Sequence, residues 1–106
     1  MTDKARVIFL LDLKPGTTGE FLEAYEHIRH VVAEGVKGHV VDQVCQAPDD
    51  PDRWVITSEW ETLQDFVAWE ESEEHRQLVA PLRRCFARAH SLRYLIRRET
   101  ARRIAE

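Results

Sequence analysis

The chain has 106 residues, of which 43% are hydrophobic, and carries a formal net charge of −4 at pH 7. This length suits one domain, residues 1–106, with one hydrophobic core, and the acidic balance argues against a nucleic-acid-binding surface. The sequence has no signal-peptide pattern and no apolar run near the roughly 18 residues of a membrane span, so we expect a cytoplasmic protein without membrane contact.

The chain begins with a predicted strand followed by a predicted helix. Residues 6–13 form an almost continuous apolar run rich in strand formers, and the turn sequence at residues 14–16 ends it. Thr17 or Thr18 can then cap a helix in which apolar residues recur at helical spacing until Gly35. We expect this helix to pack on the sheet through that apolar stripe.

Two further strands are predicted in the middle of the chain. They cover residues 39–46 and 54–60, and the loop between them, residues 48–52, contains two prolines and three aspartates. Such a loop is unsuited to a sheet. We therefore expect the two strands to be antiparallel neighbours.

The last third of the chain predicts helices and a final strand. Thr62 can cap a short helix, and Ser72 can begin a second one. The second helix is expected to kink at Pro81 and to run to about Ala89. A strand over residues 92–96 would follow.

Residues 97–106 predict a charged tail. Its arginines are interleaved with Glu99 and Glu106. We therefore expect a solvated or partner-pairing segment rather than a phosphate-binding arm.

The predicted element order is strand, helix, strand, strand, helix, strand. This order is typical of the ferredoxin-like βαββαβ fold, an α+β architecture with both helices on one face of a four-stranded antiparallel sheet. In the first strand, however, both faces are apolar: one carries Val7, Phe9 and Leu11, and the other Ile8, Leu10 and Leu13. A second copy packed sheet to sheet would cover the free face, so we expect a homodimer that forms an α/β barrel.

A residue pattern runs from the third strand into the following helices. It consists of Thr57-Ser58-Glu59-Trp60-Glu61-Thr62, then Phe66 and Trp69, then Ser72-Glu73-Glu74-His75. This pattern resembles the antibiotic biosynthesis monooxygenase family. The resemblance implies a small dimeric α+β barrel. The best-studied branch of that family oxidises anthrone-type aromatic polyketides to quinones with molecular oxygen and without a metal or flavin cofactor.

The chain also departs from that family at specific positions. Anthrone oxygenases of the family pair the strand-three tryptophan with an asparagine four positions earlier and a tyrosine six positions later, where this chain has Ile56 and Phe66. Only Trp60 carries over. The haem-degrading branch has a tryptophan followed ten residues later by a histidine, and here Trp69 is followed by Val79. This departure from the haem-degrading pattern argues against haem degradation.

His75 is the predicted catalytic base, and the resemblance to the quinol-oxidising branch supports it. A helical wheel places it with Leu78, Val79 and Leu82 on the face turned toward the sheet. An imidazole titrates near neutral pH and can remove the acidic proton of a phenol or anthrone, leaving a carbanion that reacts with oxygen. The alternative is a core histidine held by a backbone carbonyl.

Four aromatic residues are predicted to enclose the substrate. Trp60 carries over as the second catalytic residue, and Phe66, Trp69 and Tyr25 are candidate substrate-binding residues. The tryptophans and Phe66 offer flat walls for a planar ligand, and the Tyr25 hydroxyl can position a substrate oxygen. The alternative is that all of them pack in the core.

Asp42 and Glu59 are the predicted polar residues of the cleft. A carboxylate on a buried strand needs a partner, so both are candidate substrate-binding residues. Alternatively, either pairs with an arginine such as Arg6 or Arg93.

No metal or other cofactor is expected. His27 and His30 lie in a helix rich in glutamate, but the helical wheel places them on different sides. Cys45 and Cys85 are far apart and outside any Cys-x-x-Cys pattern, which predicts two free thiols.

The leading hypothesis is a cofactor-independent monooxygenase of secondary metabolism. It would act on an aromatic polyketide or other planar phenolic intermediate, with molecular oxygen as the second substrate. One alternative is an aldol cyclase of a polyketide chain on the same scaffold. Another is a non-catalytic barrel that binds an aromatic ligand.

Overall fold

The computed structural model describes residues 3–103. Its elements in chain order are β1 (Ala5–Leu13), α1 (Thr18–Glu34), β2 (His39–Gln46), β3 (Arg53–Trp60), α2 (Leu63–Glu70), α3 (Glu73–Arg83) and β4 (Phe86–Leu95). None of these helices combines the length and apolar character needed to cross a bilayer. Residues 97–103 are exposed and outside helices and strands, and the remainder of the predicted tail lies outside the described residues.

The four strands form one antiparallel sheet in the order β2-β3-β1-β4. β1 is central and pairs along almost its whole length with β3 on one side and β4 on the other. This topology confirms the predicted ferredoxin-like fold. It also confirms that β2 and β3 are antiparallel neighbours.

Two of the predicted helix caps are present. The Thr62 hydroxyl oxygen accepts a hydrogen bond from the Asp65 amide at the start of α2, and the Ser72 hydroxyl oxygen accepts one from the His75 amide at the start of α3, each at 3.1 Å. Each cap satisfies an amide that has no partner within its own helix. Thr17 precedes α1 without capping it, because its hydroxyl donates to the Lys14 carbonyl at 2.7 Å.

The predicted end of the last helix is wrong. α3 ends at Arg83 rather than near Ala89, and β4 starts at Phe86 rather than at residue 92. Residues 86–91 pair with the second half of β1, so their backbone groups complete the sheet. This long-range pairing outweighs the helix propensity of the alanines and arginines in the segment.

All three helices pack on one face of the sheet. On that face, a core around Phe21 contains Leu11 and Leu13 of β1 and Leu82 of α3. A second cluster joins Val7 to residues of α2. The prediction that Leu13 lies toward the other face is wrong, because its side chain is 3% exposed in the helix-side core, two positions along the strand from Leu11.

The other sheet face, called the open face below, carries a patch of apolar side chains. The pairing of β1 with its neighbours places on it Ile8 and Leu10 of β1, Val41 of β2, Val55 of β3, and Leu92 and Tyr94 of β4. Leu10, Val41 and Tyr94 are among the exposed large hydrophobic residues. An apolar sheet face of this kind normally has a covering partner, so the homodimer stays our prediction.

A charge in the middle of the open face should disrupt that dimer. We expect wild-type protein to be a dimer at micromolar concentration and Leu10→Asp to weaken association at least about tenfold, because a charged carboxylate would lose its water on burial in the interface. Sedimentation equilibrium measures both. Leu22→Asp on α1 is the matched control, since both leucines are 44% exposed. A monomeric wild-type protein would contradict the prediction.

Candidate active site

A cavity of about 160 Å³ lies between the sheet and the helices. Its walls come from the helix-covered face of all four strands and from all three helices. Most of the lining is apolar or aromatic, with a few polar side chains: His39, Asp42, Ser58, Glu70, His75, Arg83 and Ser91. Small-molecule sites typically have this composition.

Six of the seven predicted site residues line this cavity. They are Tyr25, Asp42, Trp60, Phe66, Trp69 and His75. The fold thus brings together residues from α1, β2, β3, α2 and α3. Their roles in binding or catalysis stay predictions.

Glu59 does not lie in the cavity, so the prediction that places it in the cleft is wrong. Its neighbours Ser58 and Trp60 face the cavity, and strand alternation turns the Glu59 side chain to the open face. There it forms ion pairs with Arg6 at 3.1 Å and with Lys4 at 3.4 Å. The alternative that Glu59 pairs with Arg6 is confirmed.

The Trp60 indole is held in a fixed position on the cavity wall. Its Nε1 donates a hydrogen bond to the Ser58 hydroxyl oxygen at 3.0 Å. Its ring meets that of Phe66 edge to face, with a centroid distance of 5.4 Å. Trp60 is only 3% exposed. These contacts give the cavity a rigid aromatic wall.

Arg93 connects β4 to α2 beside this wall. Its guanidinium lies 5.1 Å from the centroid of the Phe66 ring and donates to both carboxylate oxygens of Glu70, at 2.6 and 2.8 Å. The Arg93 partner is therefore Glu70, and not Asp42 or Glu59. Because Glu70 is held by this two-point contact, the charge at the end of α2 is fixed in place.

His75 lies in the first turn of α3, against Trp69. The two rings meet nearly perpendicular at a centroid distance of 5.4 Å. Burial lowers the pKa of His75 below its ordinary value of 6.5, and the charge of Arg83 lowers it further, whereas the charge and backbone carbonyl of Glu70 raise it. The ring is therefore neutral at pH 7. Its buried Nδ1 has no hydrogen-bond partner among the described residues.

His39 is a cavity residue that the sequence analysis missed. Its Nε2 lies 2.8 Å from an Asp42 carboxylate oxygen, and its ring meets Trp60 edge to face at 5.2 Å. Both side chains of the His39–Asp42 pair are largely buried, 15% and 19% exposed. Burial lowers the pKa of His39 and raises the pKa of Asp42.

A β-bulge explains why His39 and Asp42 share a face. In a regular strand, residues three apart point to opposite faces. The register between β2 and β3 shifts between His39 and Val41, so that one extra residue, Val40, turns His39 to the cavity side. No residue type in this stretch signals such a bulge, and hence alternation alone could not find the pair.

No group of three or more metal-binding side chains occurs within residues 3–103. His27 and His30 are both exposed on α1. Cys45 is exposed and Cys85 is buried, and both are free thiols.

The sequence and fold place the chain in a known family. A model of the antibiotic biosynthesis monooxygenase family matches residues 5–81, and the chain belongs to that family. The match ends within α3 and includes the whole His39–His75 part of the cavity. The family predicted from the pattern around Trp60 is confirmed.

Similar proteins occur in Streptomyces. The chain is 50% identical over 97 residues to the 42.8 kDa protein in the whiE locus of Streptomyces coelicolor. It is 47% identical over 98 residues to protein SchA of Streptomyces halstedii and 41% identical over 97 residues to polyketide synthase CurD of Streptomyces cyaneus. Each match covers 92% of this chain but only 24–26% of the relative. The chain thus spans about a quarter of the length of these relatives.

A solved structure shares the fold. SnoaB of Streptomyces nogalater, described as a cofactor-independent oxygenase, superposes with a TM-score of 0.81 at 13% sequence identity. The superposition covers 92% of this chain and 97% of SnoaB. At this identity the likeness establishes the architecture alone.

His75→Gln should flatten the pH dependence of stability. Because the folded-state pKa of His75 lies below 6.5, the unfolded chain binds a proton there more readily than the folded domain. The contribution of His75 to the free energy of unfolding therefore falls as the pH decreases below 6.5, and it stops falling below the folded-state pKa. Between about pH 7.5 and pH 5, we expect the melting temperature of His75→Gln to drop a few degrees less than that of wild type.

Thermal unfolding followed by circular dichroism measures this difference. His30→Gln, which changes an exposed histidine of α1, is the control and should keep the wild-type slope. If His75→Gln also kept the wild-type slope, the described environment of His75 would be wrong.

Proposed function

We propose that this domain is a cofactor-independent monooxygenase that oxidises a planar phenolic or aromatic polyketide intermediate to a quinone. Membership of the antibiotic biosynthesis monooxygenase family supports a role in secondary metabolism. A relative named as a polyketide synthase supports the substrate class, and the shared fold of a cofactor-independent oxygenase supports the reaction type. The observation that carries the proposal is a neutral, partly buried His75 in a cavity with aromatic walls.

In this proposal His75 is the general base. The neutral ring takes a proton from an acidic CH₂ group of the substrate, and the electron pair left on carbon is delocalised over the aromatic rings. Molecular oxygen adds to this carbanion, and protonation of the outer oxygen gives a hydroperoxide. Loss of the second C–H proton breaks the O–O bond and releases hydroxide, which takes up a proton. The net reaction converts CH₂ and O₂ into a carbonyl group and water.

The aromatic walls would hold the substrate and keep water away. Trp60, Phe66 and Trp69 offer ring faces and edges to a planar ligand, and Tyr25 can position one of its oxygens. The cavity of about 160 Å³ is smaller than the roughly 300–1,000 Å³ typical of sites that enclose a whole drug-sized ligand. A substrate with several fused rings would therefore extend beyond the cavity.

Aldol cyclisation of a polyketide chain is the second candidate function. It also needs a base that removes a proton next to a carbonyl, and a neutral His75 can do this. Cyclisation differs from the proposed oxidation in that it consumes no oxygen. Oxygen uptake with an anthrone therefore favours the first candidate, and a ring-closed product formed without oxygen favours the second.

Removing the base should slow oxidation strongly. With a tricyclic anthrone as the probe, we expect His75→Gln to reduce quinone formation about 100-fold, within the usual range for loss of a general base. Oxygen consumption and quinone absorbance are followed together, and the rate without protein is subtracted. His30→Gln should keep the wild-type rate, since this side chain is exposed on α1 and does not line the cavity.

The outcomes separate the candidates. If His75→Gln oxidised the anthrone as fast as wild type, His75 would not be the base. If wild type bound the anthrone, seen as a change in tryptophan fluorescence, but consumed no oxygen, the domain would be a cyclase or a binding module.

A further inference from the structure

His39 has the features of a second reactive group in the cavity. Its ring is held between the Trp60 ring and the Asp42 carboxylate, on a wall built from β2 and β3. His75 belongs to the wall built from α2 and α3. The β-bulge at Val40 turns His39 inward, and bulges beside active sites commonly re-aim a side chain in this way.

We propose that His39, oriented by Asp42, is a second acid–base residue that removes the second C–H proton and returns it to the departing hydroxide. This inference rests on the proposed oxidation and assigns the two proton transfers to different histidines. His75 takes the first proton and delivers it to the outer peroxide oxygen. His39 then takes the proton that remains on the same carbon, as the O–O bond breaks and the carbonyl forms.

The proposed oxidation gives a reason for two acid–base residues in the cavity. The carbon loses one proton before oxygen adds and the other afterwards, and the geometry around the carbon changes from planar to tetrahedral between these steps. A single fixed imidazole would have to reach both protons. Two bases on separate walls of the cavity can each remove one of the two protons.

The other charged residues of the cavity are poorly suited to this role. Both carboxylate oxygens of Glu70 accept hydrogen bonds from Arg93, so this carboxylate is already engaged. The guanidinium of Arg83 stays protonated and cannot act as a base. Asp42 is bound to His39 at 2.8 Å. His39 therefore remains as the second base.

Asp42 acts as a positioning residue. At neutral pH its carboxylate accepts a hydrogen bond from Nε2–H of a neutral His39, which fixes the proton on that nitrogen. The lone pair is then on Nδ1, which has no hydrogen-bond partner in the described part of the chain. An acidic residue that fixes the tautomer of a histidine base is a common arrangement in acid–base catalysis.

The test follows the two proton transfers separately, with a tricyclic anthrone as the probe. Without oxygen, exchange of the anthrone CH₂ protons in D₂O, measured by NMR, reports the first transfer. With oxygen, the ratio of quinone to accumulated hydroperoxide reports the second. For His39→Gln we expect exchange within about twofold of wild type but at least about tenfold less quinone, with hydroperoxide accumulating. His75→Gln should lose the exchange itself.

Variants of Asp42 test the positioning role. Asp42→Leu should behave like His39→Gln, whereas Asp42→Asn should recover part of the quinone yield, because its amide oxygen can still accept from Nε2–H. Nitrogen NMR of the histidine rings gives a readout without substrate. It should show the Nε2–H tautomer of His39 in wild type and in Asp42→Asn, and a mixture in Asp42→Leu.

Several results would overturn the inference. If His39→Gln gave the wild-type ratio of quinone to hydroperoxide, His39 would not be the second base, and the proposed oxidation would be unaffected. An equal loss of exchange and quinone in His39→Gln would mean that the two histidines do not divide the transfers. The Nδ1–H tautomer in folded wild type would contradict the geometry. If wild type neither exchanged protons nor consumed oxygen, the proposed oxidation would fail as well.

Discussion

The pairing of β1 with β3 on one side and β4 on the other decides which side chains of the sheet point into the site. Because the register is fixed along almost the whole of β1, alternate residues of all four strands are divided between a face covered by helices and an open face. A shift of one residue would exchange the two sets. Trp60 and Ser58 would leave the cavity, and Glu59 would enter it.

The same division between the two faces of the sheet links ligand binding and dimerisation, the two expected properties of the domain. The helix-covered face contains the cavity with His39 and His75, and the open face carries the apolar patch that predicts a homodimer. Dimerisation through the open face would leave the cavity free for a ligand. Burial on the helix side also sets the protonation of the site, because desolvation lowers the pKa of both histidines and so keeps them neutral near pH 7.

Features fixed by local patterns could be predicted from the sequence. The apolar run of β1 and the caps at Thr62 and Ser72 predicted elements of the fold, and the family resemblance in the pattern from Thr57 to His75 pointed to most of the cavity residues. Features that depend on long-range pairing could not. Residues 86–91 look helical by composition but become strand because β1 offers them backbone partners.

The polar residues of the site show the same limit. Glu59 and Asp42 are both carboxylates on predicted strands, and only the observed register separates the ion pair on the open face from the residue in the cavity. His39 was missed because it joins Asp42 only through a bulge. Its inward position is a property of the strand pair and not of the residues around it.

Isotope labelling with ¹⁸O₂ tests most directly the claim that this site oxidises a planar aromatic substrate with molecular oxygen. Protein treated with a chelator is supplied with a tricyclic anthrone under ¹⁸O₂, and the quinone is analysed by mass spectrometry. The proposed reaction predicts one labelled oxygen atom in each new carbonyl group and the other in water, at the rate of the untreated protein. An unlabelled quinone, or activity that is lost with the chelator and restored by a metal, would contradict it.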